Sequence, residues 1–159
     1  MSKRAIITVR KSVVGDIDPI AQNMRAADRA EVWAASRRTP RRALEFSLRN
    51  SSVAFTGLAD GTPFVMFGVG EQSRLLGVGV PWLLGTEQIE KHAVHFLRQS
   101  HLWSAVLQQN FRVLKNHVDN RNTLSIRWLK WLGFELAEPR PHGPDGLLFR
   151  AFEMRAENV

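Results

Sequence analysis

Apolar and polar positions alternate with a period of two at the start of the chain and then change to helical spacing. Residues 5–14 (AIITVRKSVV) are rich in β-branched types and predict a first strand. Asp18-Pro19 predicts a helix start, because a carboxylate can cap free N–H groups and proline suits the first turn. Thr39-Pro40 likewise combines a capping residue with a proline and predicts the start of a second helix. Residues at helical spacing support both helices, namely Ile20, Met24, Ala27 and Glu31 or Ala34 in the first and Leu44, Phe46 and Leu48 in the second.

The next stretch returns to the period of a sheet. The segments VAFTGL (53–58) and PFVMFGVG (63–70) flank Asp60-Gly61, a dipeptide that favours a tight hairpin turn. A further strand is predicted over residues 75–84. Three residues within it weaken a regular ladder and predict a bulge or a splayed edge, namely Gly77, Gly79 and Pro81.

The second half of the chain alternates helices and strands. A long helix is predicted over residues 86–109, with Ile89, Ala93, Phe96, Trp103 and Leu107 on one face. A strand over 112–119, a helix from 122 and two closing strands around a proline-rich loop at 138–146 complete the order βααβββαβαββ. This order predicts one α/β domain over residues 1–159, with a mixed sheet and helices on both faces.

The segment NTLSIRWLKWLGF, residues 122–134, carries the strongest local signals. Asn120 or Asn122 can cap the helix start, and Gly133 stands where a left-handed residue ends a helix. An apolar face is predicted from residues at three- and four-residue spacing, namely Ser125, Trp128, Leu129 and Leu132.

This segment resembles the last helix of the GNAT acyltransferases, whose pattern is Asn-x-x-Ala-x-x-Leu-Tyr-x-x-x-Gly-Phe. Asn122, Ser125, Trp128 and Leu129 take the first four specified positions, and Gly133-Phe134 the last two. The resemblance implies a mixed seven-stranded sheet, acetyl-CoA as cofactor and a tyrosine that protonates the departing thiolate. Leu129 stands at the tyrosine position, and the chain contains no tyrosine. A leucine has no proton to give, so no confident catalytic residue can be named there.

The resemblance also implies a glycine-rich cradle for the coenzyme A pyrophosphate between the fourth strand and the third helix. The matching stretch, LLGTEQIE (83–90), keeps one glycine and places Glu87 and Glu90 in the first helical turn, where they would repel a pyrophosphate. The sequence therefore argues against a bound cofactor. If a cofactor does bind, acetyl-CoA is the candidate. If coenzyme A binds, we expect its contacts to be Leu83, Leu84, Gly85, Thr86, Asn122 and Ser125.

Composition adds a strong positive charge. The 159 residues include 22 Lys or Arg against 15 Asp or Glu, which gives a net charge of +7 and an isoelectric point near 11.0. The densest cationic segment is 37–42 (RRTPRR), and its position at a helix start would be relieved by an anionic neighbour. A solvated basic face and a partner surface of Arg37, Arg38, Arg41, Arg42 and Trp131 both remain open, with nucleic acid as a possible partner. Trp131 could equally pack against the loop at 138–146.

Other candidate chemistry is weak. A general base could be Glu71, Glu87, Glu90 or His92, but each is more simply a surface or helix-start group. His92 and His95 can share a helix face, whereas His101 falls on the opposite side, so no metal site is expected. The absence of cysteine excludes disulfides and thiol catalysis, and no apolar run is long enough for a membrane span.

Longer segments resemble a phage family. Residues 32–48 (VWAASRRTPRRALEFSL) and 80–99 (VPWLLGTEQIEKHAVHFLRQ), with the helix from 122, are similar to internal virion (core) proteins of short-tailed lytic phages, an acyltransferase-like family. This resemblance implies phage structural partners and a location in the virion or the infected-host cytoplasm. Two functions follow from the sequence. The first is a non-catalytic virion or morphogenesis protein with a degenerate GNAT fold. The alternative is an active acetyl-CoA-dependent N-acetyltransferase acting on a host or phage protein.

Overall fold

The computed structural model describes residues 3–156, apart from six side chains of one helix at positions 97, 100, 101, 102, 104 and 107. The strands are β1 Ile7–Lys11, β2 Ser51–Ala59, β3 Thr62–Ser73, β4 Val78–Gly85, β5 Val113–Asp119, β6 Glu135–Leu136, β7 Arg140–His142 and β8 Leu147–Arg155. The helices are α1 Ile17–Gln22, α2 Ala26–Ser36, α3 Pro40–Arg49, α4 Gln88–Lys91, α5 Ala93–Gln108 and α6 Thr123–Leu132, with a 3-10 turn at Val14–Asp16.

The strands form a mixed sheet in the order β1-β2-β3-β4-β5-β8-β6, and β7 pairs with β8. All neighbours are antiparallel except β4 and β5, which are parallel and pair only at Val78↔Val113 and Gly79↔Leu114. Beyond this short ladder the two strands separate. We call the gap between them the slot. Within residues 3–156 the sheet has eight strands rather than the expected seven, because the chain before β8 forms two short strands.

Helices cover both faces of the sheet. Met66 and Leu84 point to the face covered by α1 and α3, where Ile20 and Leu44 are buried. Val65 and Phe67 point to the other face, together with Ile89, Phe96 and Trp128 from α4, α5 and α6. This alternation along β3 is the two-residue period of a strand that is buried on both sides. The predicted fold class is confirmed.

The first helix was predicted as continuous, and that prediction is wrong. Residues 23–25 leave the helix, Met24 forms a bridge with Thr86, and Arg25 N–H donates to Gly85 O at 3.0 Å. Asp18 is not the cap, since the helix begins at Ile17 and the Asp18 carboxylate pairs with Arg41. The break aligns the start of α2 with the end of β4.

One further boundary differs from the prediction, because the long helix over 86–109 is divided into α4 and α5 at His92. The splayed edge predicted for the strand over 75–84 is present, since β4 pairs with β5 only at Val78 and Gly79. The register of β3 with β4 also shifts, between Glu71 and Ser73. Gly77 precedes β4 in a turn with φ +67°. The helix faces predicted for His101 and Leu107 concern side chains that lie outside the described residues.

The helix predicted from residue 122 is present at its expected position. Asn122 caps it, with Oδ1 accepting from Ser125 N–H at 3.4 Å, and Gly133 ends it with φ +98°. Arg127 and Lys130 are exposed, as the spacing predicts, and Ile126 is an additional buried residue of the apolar face. Thr39 likewise caps α3, and Asp60-Gly61 forms the hairpin turn.

Candidate functional site

The slot is bordered by one edge of β4, and the pairing of β4 with β3 determines which backbone groups face it. Thr86 N–H donates to Phe64 O on β3 at 2.8 Å. Since successive residues of a strand point their N–H and C=O groups to opposite edges, the odd-numbered residues of β4 face β5. The slot-facing edge therefore consists of Gly79, which pairs with Leu114, followed by Pro81, Leu83 and Gly85.

A side chain from β5 crosses the middle of the slot. Asn116 Nδ2 donates to Pro81 O at 2.9 Å, and Asn116 Oδ1 accepts from His117 N–H at 2.8 Å. These two bonds fix the amide. Proline has no N–H, so Pro81 offers no donor to a molecule in the slot.

The wide end of the slot, which we call the mouth, is closed from the side of α2. Gly85 N–H donates to Asp28 Oδ2 at 2.9 Å, and Gly85 O accepts from Arg25 N–H at 3.0 Å. Both slot-facing backbone groups of Gly85 are therefore used by protein. Leu83 differs from the other three residues on this edge. Among the described residues, no partner lies on the slot side for its backbone N–H and C=O groups.

The Arg25 guanidinium extends the closure to α6. Its Nη2 donates to Asp28 Oδ1 and Asn122 Oδ1, each at 2.8 Å, and to Ser125 Oγ at 3.1 Å. Asn122 Nδ2 in turn donates to Asp28 Oδ1 at 3.4 Å. We call Arg25, Asp28, Gly85, Asn122 and Ser125 the mouth network.

The mouth network is buried. Arg25, Asp28 and Asn122 are each no more than 4% exposed to solvent. Burial raises the pKa of the Asp28 carboxyl, and the hydrogen bond and charge of Arg25 oppose that rise. Arg25 Nε is buried with no hydrogen-bond partner among the described residues. A buried ion pair of this kind is costly to break, because removing one member leaves the other charge uncompensated.

A cavity of about 610 Å³ lies along the slot and is lined by residues from both faces of the sheet. Its walls are mostly apolar. On the side of α2 and α3 they include Val32, Ala35 and Phe46, and on the side of α5 and α6 they include Phe96, Trp128 and Leu129. The polar groups of the lining include Glu31, Asn116, His117 and His142.

Glu31 is the most perturbed acid of the cavity wall. Its Oε1 accepts from Asp119 N–H at 2.7 Å. Burial raises the pKa of Glu31 to about 8, and the nearby Asp28 and Asp119 carboxylates add to the rise. Burial also pushes the pKa of Asp119 upward, but its hydrogen bonds with Arg121 outweigh this and leave it below the usual value. Glu31 is therefore a neutral hydrogen-bonding acid near pH 7.

Two histidines stack at the cavity wall where β5, β8 and β7 meet. The rings of His117 and His142 lie 4.0 Å apart with an interplanar angle of 12°. Burial lowers the pKa of His117, and the charges of His142 and Lys115 lower it further. Among the residues that the structure describes, no group of three or more His, Cys, Asp or Glu side chains is placed to hold a metal ion.

The residues expected to contact coenzyme A are only partly available. Leu83 lines the cavity, and Leu84 directs its backbone groups to β3. The slot-side N–H and C=O of Gly85 are bonded to Asp28 and Arg25. Thr86 N–H is also bonded within the protein, as are Asn122 and Ser125 in the mouth network. A contact of coenzyme A with these six residues stays a prediction.

The residues considered as catalytic acid and base lie at different distances from the cavity. Leu129 lines the cavity at the position of the expected tyrosine. Of the suggested bases, Glu71 lines the cavity, whereas Glu87 and Glu90 are exposed near the start of α4, and Glu90 lies 3.8 Å from Arg25 Nη1. His92 packs edge-on against Phe64.

Sequence reasoning missed the residues that close the slot. Arg25, Asp28 and Glu31 stand three residues apart, a spacing that puts charged groups on one helical face, and this signal was present in the sequence. Asn116 had no comparable signal, because its partner Pro81 is 35 residues away.

Two of the four arginines at 37–42 form ion pairs within the described residues. Arg37 pairs with Asp145, and Arg41 pairs with Asp18 and with Glu45. Arg38 stacks on Phe46 at 3.8 Å. Arg37 also lies 5.3 Å from the ring centroid of Trp33, and Trp33, Phe46 and Trp131 are each nearly half exposed.

Solved N-acetyltransferases share this architecture. A putative acetyltransferase from Salmonella typhimurium with its cofactor acetyl-CoA has a TM-score of 0.72 and 15% identity, over 97% of this chain and 96% of that chain. An N-acetyltransferase from Staphylococcus aureus Mu50 has a TM-score of 0.69 and 18% identity, over 94% and 98%. A GNAT-family acetyltransferase from Streptococcus pneumoniae has a TM-score of 0.63 and 10% identity, over 94% and 99%. The chain has the GNAT fold.

The comparisons reach no further than the fold. No protein-family model matches the chain, and no curated protein matches its sequence. Identities of 10–18% with GNAT structures do not transfer an activity, because one fold hosts many functions. Among the residues described, no helix is long and apolar enough to cross a membrane.

Proposed function

We propose that this protein is a GNAT-fold interaction module that does not transfer acetyl groups. The observation that carries the proposal is the occupation of Gly85, whose N–H and C=O on the slot side are held by Asp28 and Arg25. In an enzyme of this fold the cofactor would use that edge. Here the protein itself provides the hydrogen bonds.

Acetyl-CoA does not fit the residues present. Its pantetheine amides would need donors and acceptors on the slot-facing edge of β4, where Pro81 and Gly85 are already used. Its pyrophosphate would need free N–H groups after β4, yet Thr86 N–H and Gln88 N–H are bonded within the protein. Leu129 supplies no proton to a thiolate. No catalytic step through coenzyme A is therefore proposed.

The partner surface that we propose lies on the corner between α2 and α3. Trp33 with Arg37 and Phe46 with Arg38 form two exposed aromatic–arginine pairs. Aromatic and arginine side chains dominate the energetic centres of protein interfaces, and the stacking holds them in place before binding. The resemblance to phage core proteins supports a phage structural protein as the partner and the virion or the infected-host cytoplasm as the location.

Isothermal titration with acetyl-CoA tests the proposal. We expect no saturable heat and no change in melting temperature at millimolar cofactor. The Salmonella typhimurium acetyltransferase, solved with acetyl-CoA, is the positive control for the cofactor preparation. Micromolar binding that coenzyme A competes away would overturn the proposal.

An active N-acetyltransferase is the second candidate, and the cavity favours it. A cavity of about 610 Å³ remains along the slot although Asn116 and Asp28 reach across to β4, and Leu83 lines it. In that case Asp28 and Arg25 would have to leave Gly85 when the cofactor enters. Mass spectrometry of amine-bearing peptides incubated with acetyl-CoA distinguishes the two, because the second candidate alone predicts a 42-dalton mass increase.

A further inference from the structure

We propose that a basic groove at the β1 edge of the molecule binds single-stranded nucleic acid through its phosphates. The groove lies between the chain before β1, the turn from β2 to β3, the end of α1 and the start of α4 and α5. Its volume is about 1260 Å³, and it is separate from the slot. The proposal goes beyond the interaction module and does not depend on it.

The lining of this groove is strongly cationic. It contains five Lys or Arg side chains against two carboxylates, Asp60 and Glu87. Asp60 already accepts from the Ile6 backbone N–H at 2.9 Å. The five cations are Lys3, Arg4, Arg29, Lys91 and Arg98. Such an excess in one concave surface attracts a phosphate chain and is a sequence-independent source of affinity.

Four of these cations have no carboxylate partner within the part of the chain that the structure describes. Among the described residues, Lys3, Arg4, Lys91 and Arg98 take part in no ion pair, whereas Arg29 is held by backbone carbonyls. The contrast is with the segment at 37–42, where Arg37 and Arg41 are paired with carboxylates. Cations that are already paired add less to the attraction of phosphates. Arg38 and Arg42 of that segment also take part in no ion pair among the described residues, but the groove gathers four such cations in one concave surface.

The shape of the groove favours a single strand over a duplex. A duplex presents its phosphates on a convex surface, whereas a single strand can lie in a concavity with phosphates and bases both in contact. Amide groups of Gln22, Asn23 and Gln88 line the groove and can bond base edges. The rings of His92 and His95 lie there too, and histidine rings can stack on unpaired bases.

Fluorescence anisotropy with labelled oligouridylate, oligothymidylate and a blunt DNA duplex tests this proposal. If four cations meet phosphates, log K should fall with log salt with a slope of about −3 for single strands. Lys91→Glu with Arg98→Glu should weaken single-strand binding at least tenfold and reduce that slope by roughly half. The matched control is Arg42→Glu with Lys130→Glu, which makes the same charge change at two exposed positions outside the groove. We expect the control to bind within threefold of the original chain.

Several results would overturn the assignment. They are the absence of binding at low salt, equal weakening in both double variants, or tighter binding of the duplex than of either single strand. Displacement by polyglutamate as effective as by oligouridylate would assign the groove to an acidic protein surface instead. Circular dichroism of both double variants verifies that a loss of binding does not come from a loss of folding.

Discussion

Asp28 Oδ2 accepts a hydrogen bond from Gly85 N–H at 2.9 Å, so a carboxylate of α2 occupies the last slot-facing donor of β4. The other oxygen of Asp28 holds the buried Arg25 guanidinium at 2.8 Å. One side chain therefore closes the mouth and pairs with a guanidinium that is only 4% exposed. This dual role makes Asp28 the residue on which the closed slot depends.

Replacing Asp28 should be strongly destabilising. We expect Asp28→Ala to lower the free energy of unfolding by about 3–5 kcal/mol, because Arg25 would remain buried without its carboxylate. Urea unfolding at constant pH measures the change. Glu45→Ala is the control, since it removes an exposed partner of Arg41 and should cost less than about 1 kcal/mol. Equal, small losses in both variants would mean that the mouth network adds little to stability.

Restoring the missing tyrosine should not create a transferase. Leu129→Tyr places a phenol at the cavity wall, where an enzyme lacking only its acid would gain about 10²–10⁴-fold in rate. We expect no release of coenzyme A thiol above background in either chain, because Asp28 and Arg25 still occupy Gly85. A thiol reagent with an N-terminal-amine peptide and a polyamine as acceptors gives the measurement. A rate gain in the tyrosine variant would instead indicate a cofactor site that opens on binding.

Local sequence signals predicted much of the fold. The helix from residue 122 carries its own cap in Asn122 and its own stop in Gly133, and the hairpin carries its turn in Asp60-Gly61. Each of these signals acts within a few residues, so neighbouring positions suffice to identify it. The element order then restricted the possible architectures to a mixed sheet with helices on both faces.

The candidate site depended on contacts between distant residues, which local patterns do not encode. Met24 leaves its helix because it pairs with Thr86, and no local breaker marks that position. Arg25 bonds Asn122, a residue 97 positions away. The basic groove likewise joins residues before β1 with residues of α5. The charge of each residue was readable from the sequence, but which charges are paired was not.

In the loop between β7 and β8, an alanine should cost more stability at Gly143 than at Gly146. Both Gly143 and Gly146 have positive φ, +79° and +64°. A Cβ at position 143 would lie 2.2 Å from Ala34 O, whereas a Cβ at 146 would meet nothing closer than Pro141 Cβ at 3.9 Å.

We therefore expect Gly146→Ala to cost about 1–2 kcal/mol for the left-handed backbone alone. Gly143→Ala should cost more than this matched control, because α2 and the loop must also separate. Thermal unfolding of the two variants side by side isolates the steric part. If the two melting temperatures fall equally, the loop does not pack against α2 as described.

The proton on Glu31 should make stability fall as pH rises. The pKa of its carboxyl is about 8 in the folded chain and 4.5 as its ordinary value. Between these values the folded state binds a proton that the unfolded state has released, so the free energy of unfolding decreases with increasing pH across that window.

Glu31→Gln removes this titration and keeps an oxygen that can accept from Asp119 N–H. Relative to the original chain, we expect the variant to gain about 4–5 kcal/mol of stability between pH 4.5 and pH 9, at about 1.4 kcal/mol per unit of pKa difference. Urea unfolding of both chains over this pH range measures the difference. Asp28, Asp119 and Arg121 are the same in both chains, so their titrations largely cancel from it. A stability difference that stays constant with pH would show that Glu31 ionises normally, and the cavity wall would then carry a charge rather than a neutral acid.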